Sequence, residues 1–194
     1  MAKLYFYYGA MNSGKTTRII QCLYNYEEQG MKAILMKPKV DTKGSDYIVS
    51  RIGAKRKADF LIEPKANIYD IIVEQYTNVD LIVVDEAQFL TEDQVNQLMD
   101  AVVDLNIPIM CYGLRTDFKG NSFPGSRRLL DIAHQLSEIK TICECGKKAT
   151  INVRYVNGEL VTEGDQVAID GFDKVTYESL CPKCYYKKIK KLTK

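Results

Sequence analysis

The amino-acid sequence predicts an α/β fold with a mainly parallel sheet and a small β element at the C-terminal end. Two patterns carry this prediction. Strand-like and helical segments alternate over residues 1–142. The segment "LIVVD" is almost entirely apolar, as expected for a parallel strand that is covered on both faces. After residue 142 the alternation of strands and helices gives way to β-rich segments. We therefore predict a boundary between an α/β domain (1–142) and a C-terminal subdomain (143–194).

The predicted elements follow one another in a regular order. "KLYFYY" reads as a strand and is followed by a helix from Thr16 to about Gln29, with Ile19, Leu23 and Tyr26 on one face. "MKAILM" is a second strand, and "NIYDIIVEQY" is a helix with Asn67 as its N-cap. After the strand "DLIVVD", the segment "TEDQ" has the spacing of a capping box and begins another helix.

The later elements continue the alternation. "IPIMCYGL" is predicted to be a buried strand, "SRRLLDIAHQL" a helix and "EIKTI" a short strand. Beyond residue 142, Asn157-Gly158 lies between two β-rich runs and predicts a hairpin. "VTYESL" is strand-like, and the lysine-rich end is interpreted as a solvated segment.

The composition excludes several classes of protein. The 194 residues are 46% hydrophobic and 27% charged, which is ordinary for a soluble globular protein. The net charge of +2 is too small to indicate a nucleic-acid or membrane partner. No apolar run reaches the roughly 18 residues of a membrane span, and the N-terminal residues do not read as a secretory signal. We therefore expect a cytoplasmic protein, with reduced thiols.

A phosphate-binding loop is the strongest motif in the chain. Gly9, Gly14, Lys15 and Thr16 in "GAMNSGKT" fit the pattern G-x-x-x-x-G-K-[ST], between a predicted strand and a predicted helix. The glycines allow the backbone N–H groups to converge on an anion, and the helix adds its positive end. The lysine reaches the outer phosphates and the threonine hydroxyl binds Mg²⁺. The loop predicts ATP and Mg²⁺ as ligands.

Two acidic residues follow the strand "LIVV". Asp85 suits the carboxylate that holds magnesium at the end of a buried strand in P-loop proteins. Glu86 suits a general base toward a hydroxyl group; the alternative is that it caps the next helix or pairs with a lysine. "DEAQ" is similar to helicase tetrads, but the chain is too short for a helicase motor, and no N-K-x-D-like guanine-recognition segment is present.

Four of the six cysteines form two close pairs. Cys143 and Cys145 lie in "TICECGKKA", and Cys181 and Cys184 lie in "SLCPKC". In a reducing compartment, two such pairs predict a tetrahedral zinc site. The alternative is a set of free or redox-active thiols. A zinc ion would supply folding free energy to a β unit too small to bury much apolar surface.

Several segments together resemble the type II thymidine kinase family. They are "YFYYGAMNSGKTT", "DEAQFL", "CYGLRTDFKG" and the cysteine pairs, in order over nearly the whole chain. The resemblance implies a RecA-like P-loop fold and transfer of the γ-phosphoryl group of ATP to the 5′-hydroxyl of thymidine, and of deoxyuridine, in nucleotide salvage for DNA synthesis. It also implies a homotetramer and feedback by thymidine triphosphate.

The resemblance implies a role for individual residues. Glu86 matches the catalytic carboxylate. The matched ATP and magnesium site comprises Gly9, Ala10, Met11, Asn12, Ser13, Gly14, Lys15, Thr16, Asp41, Asp85 and Gln88. The matched nucleoside site comprises Leu114, Phe118, Phe123, Ile169, Gly171 and Tyr177, with Ile169 and Gly171 in a loop whose backbone binds thymine. From the sequence alone, Phe118 and Phe123 either face the ligand or form a small satellite core.

A function of another class is also consistent with these motifs. The phosphate loop could serve a nucleotide-switched binding module without catalysis, in which the zinc element and the lysine-rich end contact nucleic acid. Phosphorylation of thymidine distinguishes the kinase from this module.

Overall fold

A computed structural model describes residues 1–39, 46–166 and 174–192. The helices are α1 (Lys15–Glu28), α2 (Ile68–Gln75), α3 (Glu92–Asp104), α4 (Pro124–Ile132) and α5 (Pro182–Leu192). The strands of the main sheet are β1 (Leu4–Gly9), β2 (Ala33–Pro38), β5 (Phe60–Ile62), β6 (Leu81–Val84), β7 (Ile109–Leu114) and β8 (Gln135–Glu138). The remaining strands are β3 (Tyr47–Val49), β4 (Lys55–Lys57), β9 (Thr141–Ile142), β10 (Lys148–Ala149), β11 (Ile151–Val156), β12 (Glu159–Val161) and β13 (Val175–Leu180).

The described part of the chain is built on a parallel sheet of six strands in the order β5-β2-β6-β7-β1-β8. Helix α1 covers one face through Ile19 and Leu23. Helices α2, α3 and α4 cover the other face. Successive residues of β6 alternate between the two cores, with Leu81 on the α1 side and Ile82 on the opposite side. This burial on both faces explains the apolar run in the sequence and confirms the predicted fold class.

The predicted N-terminal caps are present at the starts of α2 and α3. The side chain of Asn67 accepts a hydrogen bond from the Asp70 N–H at the start of α2. At the start of α3, Thr91 and Gln94 form both hydrogen bonds of a capping box. Each bond satisfies a backbone donor that has no partner within the helix.

The segment after α4 corrects the sequence prediction. We predicted a helix through "SRRLLDIAHQL", but α4 ends at Ile132 and residues 135–138 form β8. Ala133 is extended, and His134 accepts a hydrogen bond through Nδ1 from the N–H of Leu4. Strand β8 pairs with β1, so the long-range ladder overrides the local helical pattern. The predicted strand "EIKTI" is accordingly divided between β8 and β9.

The C-terminal strands form a separate small sheet within the described residues, in the order β12-β11-β13. Asn157 and Gly158 both have positive φ, as a type I′ hairpin turn requires, which confirms the predicted turn. Cys143, Ala149, Val153, Leu180 and Cys181 make up the buried core of this region. The β3–β4 hairpin and α5 have no counterpart in the sequence prediction, and the boundary at residue 142 stays a prediction.

None of the helices in the described ranges is long and apolar enough to cross a membrane.

Candidate active site

The carboxyl ends of three neighbouring strands bring the predicted catalytic segments together. The phosphate loop follows β1, Asp85 and Glu86 follow β6, and Leu114 is the last residue of β7. Because β6, β7 and β1 are parallel and adjacent, their ends lie at one edge of the sheet. This is where open α/β sheets bind their ligands.

The phosphate loop has a tightly turned backbone. Asn12 and Gly14 adopt positive φ values of 64° and 81°. A side-chain Cβ at Gly9 would lie only 2.6 Å from the carbonyl oxygen of Ile139, so a glycine is needed there. Helix α1 begins directly at Lys15 and directs its free N–H groups toward the loop. This geometry suits an anion.

Lys15 spans the loop. Its Nζ donates to the carbonyl oxygen of Ala10 at 2.9 Å and to Ser13 Oγ at 3.4 Å. Burial lowers the pKa of Lys15, while the negative charges of Glu86 and Asp85 act in the opposite direction. The ammonium group therefore lies within the loop where phosphates would bind, and its charge interacts favourably with those of both carboxylates.

Asp85 is buried, with 4% of its surface exposed, and its Oδ1 accepts a hydrogen bond from the Glu86 N–H at 2.9 Å. Burial and the adjacent charge of Glu86 raise the pKa of Asp85 to about 7, although Lys15 and Lys37 oppose the rise. A divalent cation would stabilise the ionised form of this carboxyl group. The donor set of oxygen atoms from Asp85 and Thr16 thus fits Mg²⁺, which prefers such ligands.

Glu86 is held in an uncommon backbone conformation. Its φ of 51° lies in the left-handed region, where a residue with a side chain is strained. Its carboxylate accepts a hydrogen bond from Nε2 of the buried Gln88. The other end of that amide, Oε1, accepts from the N–H of Leu114 at 3.1 Å. One glutamine therefore joins the carboxylate after β6 to the end of β7.

The predicted nucleoside residues are brought near one another in part. Phe118 and Phe123 are both buried, and Phe123 meets Phe89 edge-on at a centroid distance of 5.6 Å. Contact of either ring with a nucleoside stays a prediction. The Arg154 guanidinium carbon lies 3.8 Å from the centroid of the Phe118 ring. Arg154 Nε also donates to the hydroxyl oxygen of Tyr177 at 3.1 Å.

Three predicted site residues fall outside the described ranges. They are Asp41, Ile169 and Gly171.

The four paired cysteines converge. The sulfur atoms of Cys143, Cys145, Cys181 and Cys184 lie within 4.8 Å of one another, and the four residues are free thiols. Zn–S bonds of about 2.3 Å in a tetrahedron imply sulfur separations of about 3.8 Å. Burial raises the pKa of Cys143, but hydrogen bonds from the N–H groups of Cys145 and Cys181 and from neighbouring thiols lower it to about 7. The cluster fits zinc, which binds thiolates.

Comparisons with known proteins match the chain over nearly its whole length. A family model described as "Thymidine kinase" matches residues 2–185. The chain belongs to the thymidine kinase family.

Individual relatives of the family match over nearly their full length. A "Thymidine kinase" of Legionella pneumophila (strain Lens) is 47% identical over 193 residues, covering 97% of this chain and 90% of that protein. The corresponding protein of Zymomonas mobilis is 44% identical over 196 residues, covering 99% and 100%. That of Haemophilus influenzae is 46% identical over 191 residues, covering 96% and 97%.

This thymidine kinase family member also contains polar residues near the site that the sequence reasoning missed. Asn152, Arg154 and Ser179 are buried in the C-terminal sheet, and each hydrogen-bonds residues of the site or segments that lead to it. The signal for them is faint. In the strand "INVRYV", Asn152 and Arg154 are polar residues at alternate positions, which places them on one face.

Proposed function

We propose that this protein is an ATP-dependent thymidine kinase that transfers the γ-phosphoryl group of ATP to the 5′-hydroxyl of thymidine, with deoxyuridine as a second acceptor. The observation that carries the proposal is that the Glu86 carboxylate, Asp85 and the phosphate loop meet at one edge of the sheet in a member of this family. A carboxylate next to a phosphate loop suits deprotonation of an alcohol.

The chemistry follows from the roles of these side chains. Glu86 takes the proton of the 5′-hydroxyl while the oxygen forms a bond to the γ-phosphorus and the bond from that phosphorus to the bridging oxygen of ADP breaks. Lys15 and the loop N–H groups stabilise the phosphate charge, which is the main requirement of phosphoryl transfer. When bound, Mg²⁺ would neutralise part of the phosphate charge. Thr16 and Asp85 are the residues that would hold it.

Gln88 supports this arrangement by holding the Glu86 carboxylate. A base must be aligned with its proton to be effective. The strained backbone of Glu86 is consistent with this role, because such strain persists only where surrounding contacts maintain it.

The substitution Glu86→Gln tests the proposal. It removes the proton acceptor with little change in shape, so we expect kcat to fall by about 10²- to 10⁴-fold while Mg·ATP binding persists. Release of ADP is measured with thymidine, deoxyuridine and other deoxynucleosides as acceptors. Glu92→Gln, an exposed carboxylate in the first turn of α3, is the control. Near-normal turnover of Glu86→Gln would refute the base role.

The same assay separates the kinase from a non-catalytic binding module. A kinase releases ADP only when thymidine or deoxyuridine is present. ATP binding without phosphorylation of any nucleoside, accompanied by binding to nucleic acid, would favour the module.

We also propose several further properties of this protein. The family resemblance favours a cytoplasmic homotetramer that is inhibited by thymidine triphosphate. The cysteine cluster supports one structural zinc ion per chain. We propose that the chain divides into an ATP-binding domain (1–142) and a zinc subdomain (143–194) that closes over the nucleoside. Nucleoside-binding roles for Leu114, Phe118, Phe123 and Tyr177, and for Asp41, Ile169 and Gly171, are likewise part of the proposal.

A further inference from the structure

Two polar side chains of the C-terminal sheet hold a single residue of the phosphate loop. Asn152 Oδ1 accepts a hydrogen bond from the N–H of Met11 at 2.8 Å, and Ser179 Oγ donates to the carbonyl oxygen of Met11 at 2.5 Å. Asn152 and Ser179 are 3% and 7% exposed, respectively. Both backbone hydrogen-bonding groups of Met11 are therefore satisfied by residues distant in the sequence. We refer to Asn152 and Ser179 as the loop clamp.

The clamp residues face each other across one strand pair. Asn152 is directly opposite Ser179 in the antiparallel ladder of β11 and β13. The next pair on that face is Arg154 and Tyr177, because side chains alternate between the faces of a sheet. Asn152 also donates through Nδ2 to the carbonyl oxygen of Thr116 at 2.9 Å. One sheet face thus contacts both the phosphate loop and the segment that follows β7.

Neighbouring residues on the opposite face have different partners. Tyr155 donates through its hydroxyl to Glu178 Oε2 at 2.8 Å and accepts from Lys188 Nζ at 3.0 Å. Val153 packs in the small core with the cysteines. The sheet therefore separates the zinc-side core from the face that contacts the phosphate loop.

The clamp determines which loop amides can bind phosphate. The N–H of Met11 is already donated to Asn152, so it is not free to bind a phosphate oxygen. The amides that remain for this purpose begin at Asn12, whose left-handed backbone starts the tight turn. Fixing the Met11 peptide fixes the entry to this turn. A loop held in its binding conformation loses less entropy when its ligand binds.

We propose that Asn152 and Ser179 are positioning residues for ATP, and that through them the C-terminal sheet of β12, β11 and β13 preorganises the phosphate loop. The proposal rests on the proposed function only in taking ATP as the ligand of the loop. A purely structural role, in which the two bonds merely attach the sheet to the rest of the chain, predicts equal losses of ATP and thymidine binding. A positioning role predicts a selective loss of ATP binding.

Calorimetric titration of the full-length, zinc-loaded protein tests this distinction. A non-hydrolysable ATP analogue with Mg²⁺ is titrated without nucleoside, and thymidine is titrated separately. Ser179→Ala removes one bond to Met11, so we expect the Kd of the analogue to rise about 2- to 10-fold. The double variant Asn152→Ala/Ser179→Ala should raise the Kd of the analogue further. In Ser179→Ala, the Kd of thymidine should stay within about twofold of that of the unmodified protein.

Tyr155→Phe is the matched control. It removes hydroxyl hydrogen bonds from the same sheet but on the opposite face, so it should change neither Kd. Hydrogen exchange gives a second measurement that does not depend on the double variant folding. In Ser179→Ala without nucleotide, the amides of residues 12–16 should exchange faster than in the unmodified protein, and those of β11 should not.

The outcomes separate this proposal from the proposed function. An unchanged Kd for the ATP analogue together with unchanged exchange in the loop would overturn the clamp proposal. Equal weakening of ATP and thymidine binding in Ser179→Ala would also overturn it. If the unmodified protein binds ATP but does not phosphorylate thymidine, the proposed function fails while the ATP titration still decides whether the clamp acts.

Discussion

Replacing Gln88 by methionine should reduce catalysis and stability through two separable contacts. The substitution keeps the approximate length of the side chain but removes both polar ends of the amide. One end donates to the Glu86 carboxylate, and the other accepts from the N–H of the half-buried Leu114. Gln88 itself is 1% exposed, so water does not readily replace the lost partners.

The magnitude of each effect follows from the group that loses its partner. A fully buried N–H without an acceptor costs about 1–3 kcal/mol of unfolding free energy, and the half-buried position of Leu114 favours the lower end of that range. A hydrogen bond to a charged group contributes about 1.5–3 kcal/mol. If that contribution is expressed fully in the transition state, kcat falls about 10- to 100-fold, at roughly 1.4 kcal/mol per factor of ten.

The assay compares Gln88→Met with a second buried glutamine. Gln94 also donates and accepts through its amide, but its partners are Thr91 and carbonyl groups of residues 63–66, away from Glu86. Gln94→Met should therefore lower stability without lowering kcat. ADP release at saturating ATP and thymidine gives kcat, and denaturant unfolding gives the stability. If Gln88→Met loses stability but keeps kcat within about twofold, Gln88 does not orient Glu86.

Three further predictions concern other parts of the molecule. Cys181→Ser should lower the zinc content measured by atomic absorption and the Tm, whereas Cys22→Ala, outside the cluster, should leave zinc bound. Burial raises the pKa of Glu178, but hydrogen bonds from Lys188 and Tyr155 lower it overall. The stability that ionised Glu178 contributes is therefore present above its ordinary pKa and is lost as the pH falls through the lowered value. Glu178→Gln should lower the unfolding free energy in denaturant by less than about 1 kcal/mol at pH 7, and this difference should shrink as the pH falls toward 4. Ile82→Ala, in the sheet core, should cost about 2–5 kcal/mol in urea unfolding, whereas the exposed Leu136→Ala should cost under about 0.5 kcal/mol.

The features predicted correctly from the sequence depend on neighbours along the chain. The capping box at Thr91 and the turn at Asn157 each require only a few consecutive residues, and the structure contains both. The apolar strand before Asp85 was recognisable because burial on both faces leaves no polar position in it. The prediction that the helix continues beyond Ile132 is wrong because it also used only neighbouring residues. Its residues have a helical pattern, but pairing with β1 decides their conformation.

The contacts around the candidate site were harder to predict because they join distant segments. Asn152 meets Met11 across 141 positions of sequence, and Arg154 meets Tyr177 across 23. The alternating polar residues of "INVRYV" indicate a shared face, but no motif identifies their partners. A buried asparagine or arginine in a short strand indicates that a partner exists, but only the folded arrangement shows which partner it is.

The contact between Met11 and Ser179 has a consequence for how the protein is made. These residues are 168 positions apart, so the pair can form only after the ribosome has synthesised the long segment between them. The strands that flank β1 also come late, at residues 109–114 and 135–138. The phosphate loop is therefore synthesised well before the partners that hold it in its final shape. We expect nascent chains that end before β7 to lack nucleotide binding, which would keep incomplete products from sequestering ATP.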